Sequence, residues 1–307
     1  MKFKKLLPCL VVGMLVTGNV PIVHGEENVN NYDTFSYMKI DDISVKKTED
    51  GRIFLSEVAT EKIDKMKEKR LDKILTKMGF EEEEVSDMPL GLKRLIVEKG
   101  GIKVKTKKEK PEKDEGIASI ASAYSDTSDY EINDEIDGGH LKGRTYVTRG
   151  ASTSTEYRYN FFNDFEWTEM PDNNYEDLFG WGVDNRGTVV EGNNGQRVTY
   201  RYGVDQTGTA ELQKVIGANN VKWSMNTLRW ASGYDYEGYG YQEVRYAKRD
   251  SGLTGSIYGV YGHETSSGSG GTAAISVNIG FVGLSWSPSN KSNVLTETWV
   301  ESFTIGD

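Results

Sequence analysis

Between Leu55 and Met78 the apolar residues Leu55, Val58, Ala59, Ile63, Met66, Leu71, Ile74, Leu75 and Met78 are separated by Lys, Arg, Glu and Asp. Their spacing follows a period of about 3.6 residues, which predicts an amphipathic helix. Gly79 follows the last periodic residue, where a left-handed C-terminal cap is usual. Asp87 and Pro89 mark a second start, since proline suits a first helical turn and an acid there meets the helix dipole. Leu92, Leu95, Ile96 and Lys99 continue it, and Gly100-Gly101 ends it. The pattern is that of a short helical hairpin with one narrow apolar seam. A seam this narrow does not hold up about 50 residues by itself, so the hairpin is expected to dock on the rest of the chain, self-associate or fold only in part.

Beyond Gly138-Gly139 the period changes to two. Tyr157, Tyr159, Phe161, Phe165 and Trp167 share one parity and Glu156, Arg158 and Asn160 the other, the mark of a half-buried strand. Val198, Tyr200 and Tyr202 repeat it, as do Ala273, Ile275, Val277, Ile279 and Phe281. The parity then flips to Val282, Leu284 and Trp286, which predicts a bulge or bend at Gly280–Gly283. Leu295, Trp299, Phe303 and Ile305 form a last strand. Turn signals stand between these runs at Asp184-Asn185-Arg186-Gly187, Asn193-Asn194-Gly195 and Ser287-Pro288-Ser289-Asn290. Many short strands with no strong helix between them predict a mainly β chain, an antiparallel β-sandwich preceded by the helical hairpin.

Residues 103–115 are almost devoid of apolar side chains and dense in charge, so nothing offsets the entropy of ordering them. Ser, Ala and Asp dominate the stretch that follows, to about Asp137. At the N-terminus Lys2, Lys4 and Lys5 precede an apolar run from Leu6 to Val16 and small residues near Gly25, the layout of a signal peptide. That run is far shorter than the roughly 20 residues of a membrane-spanning helix. The resulting division is a signal peptide at 1–25, a charged helical segment at 26–102 acting as pro-segment or docking element, a linker at 103–137, and an antiparallel β domain at 138–307. Export to the extracellular space follows, with no transmembrane anchor expected in the mature chain.

Charge and composition narrow the function. Cys9 is the sole cysteine and leaves with the signal peptide, so disulfides and thiolate metal sites are excluded from the mature protein. Of the net charge of −10, residues 116–307 carry −11 (14 basic, 25 acidic). Such a domain is a poor match for nucleic acid, whose binding rests on phosphate neutralisation, and for anionic lipid headgroups.

Catalytic constellations are weak. His140 and His263 are the histidines left after export; His263-Glu264 resembles the start of a metalloprotease helix motif, but Ser267 stands where the second histidine belongs. No serine lies in a G-x-S-x-G turn. Gly268–Ala273 fits G-x-G-x-x-A by letter, yet a strand-like run follows where a dinucleotide site needs a helix. Asp164, Glu166, Glu169, Asp172, Glu176 and Asp177 cluster beside Trp167 and Trp181, and paired carboxylates beside aromatic rings suit glycoside cleavage as well as ordinary solvated loops do. Calcium is the cofactor the loop suggests, through the oxygen donors Asp172, Asn174, Glu176 and Asp177, although Asp177 stands where a helix-loop-helix site requires glycine. A second irregular calcium candidate is Asp126–Glu131.

All six tryptophans and 15 of the 17 tyrosines lie in residues 116–307. Large rings build a disulfide-free core and equally well a binding face. Gly233–Tyr241 sets Tyr234, Tyr236, Tyr239 and Tyr241 among three glycines, which reads as a loop with exposed rings and a recognition surface.

The signal peptide, the charged helices with Met78-Gly79-Phe80 and Met88-Pro89, Gly100-Gly101, and a β domain ending in Ser256–Tyr261 and Ser285-Trp286-Ser287 together resemble exported proteins of Gram-positive bacteria. The resemblance is one of layout and implies no activity. The leading expectation is a secreted non-enzymatic protein whose acidic, aromatic-rich β domain binds an extracellular or cell-surface partner, carbohydrate or protein. The alternative is a membrane-active, bacteriocin-like toxin using residues 252–286 as a barrel-forming hairpin, and a secreted glycosidase ranks third.

Overall fold

The computed structural model describes residues 34–109, 131–172, 176–202, 206–209, 212–216, 220–226, 234–265, 277–279, 282–284 and 294–307. The signal peptide, residues 110–130 of the expected linker and the calcium candidate at Asp126–Asp129 fall outside them. The described residues open with a small antiparallel sheet of β1 (Phe35–Ile40), β2 (Ile43–Thr48) and β3 (Ile53–Leu55). Four short helices follow: α1 (Glu57–Thr60), α2 (Glu68–Lys77), α3 (Glu82–Asp87) and α4 (Leu90–Lys99).

The two helices expected from periodicity are therefore four, and Leu55 ends a strand. Met66 is extended with ψ 131°, which separates a 3₁₀ turn at Ile63–Lys65 from α2 while keeping Ile63, Met66, Leu71 and Ile74 in one core. Met88, just before Pro89, is extended, as proline demands of its predecessor, and this stops α3. Gly79 takes φ +100°, and the Phe80 amide donates to the Leu75 carbonyl at 3.1 Å, so the expected glycine cap closes α2.

After α4 come β4 (Ile102–Lys103) and β5 (Lys107–Glu109). The β domain contains β6 (Glu131–Ile136), β7 (Gly139–Arg149), β8 (Glu156–Glu169), β9 (Glu176–Val183), β10 (Thr188–Tyr202), β11 (Gln206–Thr209), β12 (Leu212–Ile216) and β13 (Asn220–Asn226). It continues with β14 (Tyr234–Ala247), β15 (Thr254–Glu264), β16 (Val277–Ile279), β17 (Val282–Leu284) and β18 (Val294–Thr304). One sheet runs β11-β10-β14-β8-β7-β4, with β6 also on β7; the other runs β12-β13-β9-β15-β18-β5. Every pairing between named strands is antiparallel, as the alternating pattern requires.

Two apolar clusters lie where side chains from both large sheets meet. Leu141, Phe165 and Trp167 meet Phe179, Trp181, Tyr261 and Trp299. Val147, Tyr159, Phe161, Val244 and Tyr246 meet Val183, Ile257, Phe303 and Ile305. This is a sandwich core stapled by rings rather than by disulfides. The third cluster joins the helices and small sheet to Tyr146, Phe162 and Tyr241 on the opposite face of the first large sheet. Strand β8 is thus covered on both faces and is fully buried from Tyr159 to Phe165. The half-buried strand inferred from alternation holds for one parity only, because Phe162 gives the other face an anchor for the helical cap.

Three further differences concern local pairing. Residues 103–109, read as the start of the linker, pair with both large sheets: Lys103, together with Ile102, with β7, and Lys107–Glu109 with β18. The parity flip after Gly280 is a hairpin rather than a bulge, since Ile279 pairs with Val282 and Val277 with Leu284. Asn194, read as a turn, instead sits inside β10, where the register with β14 shifts between Val189 and Asn194.

Candidate functional site

The expected tyrosine loop is strand. Tyr234 and Tyr236 pair with Tyr202 and Tyr200 of β10, and Tyr236 also pairs with Trp167; the side chains of Tyr234 and Tyr236 lie outside the described residues. Tyr239 is half-buried against the cap, its hydroxyl so close to Gly91 of α4 that any side chain there would collide with it. Tyr241 is only 3% exposed, lies 5.6 Å from the Phe162 ring in a stacked pair, and receives Lys99 Nζ at 4.7 Å from its centroid. Burial pushes its phenol well above the ordinary value. Gly238 and Gly240 are paired with β10 and β8 inside β14 rather than lying in a free loop, and the burial of Tyr241 corrects the expectation that all four rings face solvent.

The calcium candidates are separated by the fold. Asp172 is exposed on the connection after β8, its amide donating to the Asp137 carbonyl at 2.7 Å. Asn174 and the side chain of Glu176 lie outside the described residues. Asp177, read as a loop ligand, points inward: it accepts from the Tyr261 hydroxyl and lies 2.8 Å from His263 Nδ1. Among the described residues no group of three or more metal-ligating side chains is found.

Around Asp177 the sandwich holds a polar network that spacing could not have shown. His263 is wholly buried, its Nε2 lies 3.3 Å from Asp137 Oδ2, and Trp167 Nε1 donates to the Tyr261 hydroxyl at 2.9 Å. Burial opposes protonation of His263, but the hydrogen bonds and charges of Asp177 and then Asp137 outweigh it and raise its pKa. A raised folded-state value means that the stabilisation is complete below about 6.5, the ordinary histidine value, and is lost as pH climbs through the raised value. Unfolding free energy from urea titration is therefore expected to fall as pH rises above about 6.5. The drop should vanish in His263→Gln and shrink in Asp137→Asn; an unchanged profile in both would exclude this network as its source.

A second buried ionic group lies on the cap-facing side of the first sheet. Arg144 and Asp164 are directly paired across β7 and β8, with Nη2 and Nε reaching one carboxylate oxygen at 2.8 and 3.0 Å. Glu166 approaches Arg144 at 3.2 Å.

The open site is elsewhere, at the junction of small sheet and sandwich. A cleft of about 490 Å³ is lined by Asp50, Arg52, Arg149, Ser152, Thr153, Ser154, Tyr157 and Lys248. Asp50 and Arg52 sit between β2 and β3, Arg149 ends β7, Ser152–Ser154 connect β7 to β8, and Lys248 follows β14. Arg52 Nε meets both oxygens of Asp50 at 2.9 and 3.0 Å, and its Nη1 donates to the Gly150 carbonyl at 2.9 Å. Arg149 Nη2 reaches Asp50 at 3.1 Å and its Nη1 donates to the Gly306 carbonyl. The Lys248 amide donates to the Thr155 carbonyl at 2.8 Å, which places its ammonium 5.5 Å from the centre of the Tyr157 ring. The two guanidinium groups and the hydrogen bonds of Thr48 and Arg52 outweigh burial and hold the Asp50 carboxyl below the usual range. No periodicity links residues 50, 149 and 248, so sequence alone gave no signal for this convergence.

No family model and no curated protein matches the chain. Its fold bears a distant likeness to solved structures. The Clostridium perfringens NetB toxin in its membrane-inserted form has 7% identity and a TM-score of 0.29, covering 57% of this chain and 96% of that one. The collagen-binding domain of Erysipelothrix rhusiopathiae surface protein RspB has 7% identity and a TM-score of 0.26, covering 54% and 57%. The collagen-binding domain of a Staphylococcus aureus adhesin has 4% identity and a TM-score of 0.22, covering 55% and 94%. At these scores the likeness extends no further than layered antiparallel sheet.

The first arm of the hairpin considered for membrane insertion is strand β15, paired along its length with β18 and over seven residues with β9. Ile257, Val260 and Tyr261 on it are core. Freeing that arm requires dismantling the centre of a sheet. No helix among the described residues is long and apolar enough to cross a membrane.

Proposed function

We propose that the chain is a secreted binding protein that attaches to an extracellular or cell-surface partner through the cleft at Arg52, Arg149 and Lys248. The observation supporting this reading is the convergence of three sequence-distant segments on one open, polar recess, with the guanidinium groups of Arg52 and Arg149 held by Asp50. Rigid sheets that present polar groups from loops are the usual architecture of a recognition site. The sandwich supplies that rigidity, and the helical cap contributes to the site itself through the small sheet that carries Asp50 and Arg52. The signal peptide expected at 1–25 supports an extracellular location.

Ser154 is exposed on the rim, so Ser154→Trp should fill the cleft with little effect on the fold. Sedimentation of the mature protein with Gram-positive cell-wall fragments is expected to show saturable attachment, weakened at least tenfold by Ser154→Trp at unchanged melting temperature. Equal attachment of the variant and the parent would remove the cleft from the reading.

A further inference from the structure

The cleft's donors define a narrower ligand class. Its lining carries three cations, Arg52, Arg149 and Lys248, against one carboxylate, Asp50. This surplus of two positive charges stands in a molecule of net charge −10. Asp50 is already the acceptor of both guanidinium groups, so the side-chain entropy of orienting them is lost on folding rather than on binding. One cationic donor remains open to the cleft. Among the described residues Lys248 Nζ meets no carboxylate, only the Tyr157 ring, while Arg149, whose Nε is buried without a hydrogen-bond partner, adds its charge.

The hydroxyls beside them are also partly free. Thr153 Oγ1 accepts from the Glu156 amide at 3.0 Å and the Thr155 amide at 3.3 Å, which folds the β7–β8 connection back on itself. Among the described residues the Ser152 and Ser154 side chains on either side of it have no recorded partner and stand half-exposed and exposed. Charged donors with neighbouring hydroxyls are suited to an oxyanion bearing several acceptor oxygens.

Size and field restrict the rest. A recess of about 490 Å³ exceeds what a bare oxyanion fills and lies toward the lower end of the roughly 300 to 1,000 Å³ of small-molecule sites. The net negative charge of the chain disfavours long polyanions, since repulsion grows with every added charge. We propose that this cleft binds a phosphate or sulfate monoester carried on a sugar-sized group. The proposal rests on the reading that the cleft is the ligand site and adds the chemistry of the ligand.

The test uses the mature chain and isothermal titration with glucose 6-phosphate, glucose 6-sulfate and glucose at fixed ionic strength. At least one ester is expected to bind at least tenfold more tightly than glucose. The pH identifies which ester chemistry is used: a phosphate loses one negative charge below about pH 6 and should weaken at pH 5, whereas a sulfate should not. Lys248→Glu, which cancels the charge surplus without touching the Asp50 hub, should weaken ester binding at least tenfold at unchanged melting temperature. Arg149→Gln should weaken it as well, and Lys248→Glu keeps the test decisive if that variant is unstable. Failure of both esters to exceed glucose, or full binding by Lys248→Glu, overturns the proposal. Wall attachment lost in Ser154→Trp without any ester binding leaves the binding-protein reading standing and removes the oxyanion. Ester binding with Ser154→Trp still attached to walls does the reverse.

Discussion

Asp164→Ala is expected to lower the unfolding free energy by about 3 to 5 kcal/mol, the range for removing one partner of a buried ion pair. Arg144 is 2% exposed and Asp164 fully buried, so the variant strands a guanidinium that has only the half-exposed Glu166 left, at 3.2 Å. The native pair is itself imperfect. Nη2 and Nε of Arg144 reach the same oxygen, Oδ2, while among the described residues Oδ1 has no hydrogen-bond partner. Burial accordingly pushes the Asp164 carboxyl up to about 6 despite the opposing pull of Arg144. Replacing both residues by apolar ones of similar volume, Arg144→Met with Asp164→Leu, should cost far less than the single change, because no charge is then left in the interior. Chemical denaturation of the three proteins checks this, and a single variant within 1 kcal/mol of the parent would mean that water reaches the pair.

Deleting residues 34–101 is expected to leave a sandwich that binds hydrophobic dyes and aggregates. The deletion uncovers Tyr146, Phe162 and Tyr241, which the cap buries to 3% exposure or less, and removes α4 from above Tyr239. Three adjacent rings form the kind of contiguous apolar patch that soluble monomers rarely expose. Residues 34–101 supplied in trans should restore solubility, since they carry the apolar helical face that covers these rings. Co-elution of fragments 34–101 and 102–307 on size exclusion is the expected result. A soluble, dye-silent 102–307 fragment would show instead that the cap is a detachable pro-segment.

These outcomes separate what was legible in the chain from what was not. Alternation at Tyr157–Trp167 and Val198–Tyr202 announced antiparallel strands, because side chains on a strand can only face two ways and one face was plainly apolar. The helical period of 55–78 and the glycine stops at 79 and 100 were equally local, set by backbone geometry within a few residues. Phe162, the one apolar residue on the wrong parity, was the available sign that β8 is covered twice. The tyrosines of 234–241 misled for a related reason: glycine permits a loop, but Gly238 and Gly240 are equally able to sit in a strand paired on both sides, and composition cannot distinguish the two.

What the sequence by itself determined is a mainly antiparallel β chain with a single cysteine and so no internal disulfide, an acidic C-terminal part and an amphipathic helical segment ahead of it. The tertiary structure alone decided that this segment caps a sheet, that Asp177 faces His263 rather than solvent, and that Arg52, Arg149 and Lys248 meet around one cleft. The physical reason is range. Periodicity and turn chemistry act over fewer than about ten residues, whereas these contacts join positions separated by 86 to 98 residues, as in His263 with Asp177 and Arg52 with Gly150, and become visible only once the sheets have chosen their partners.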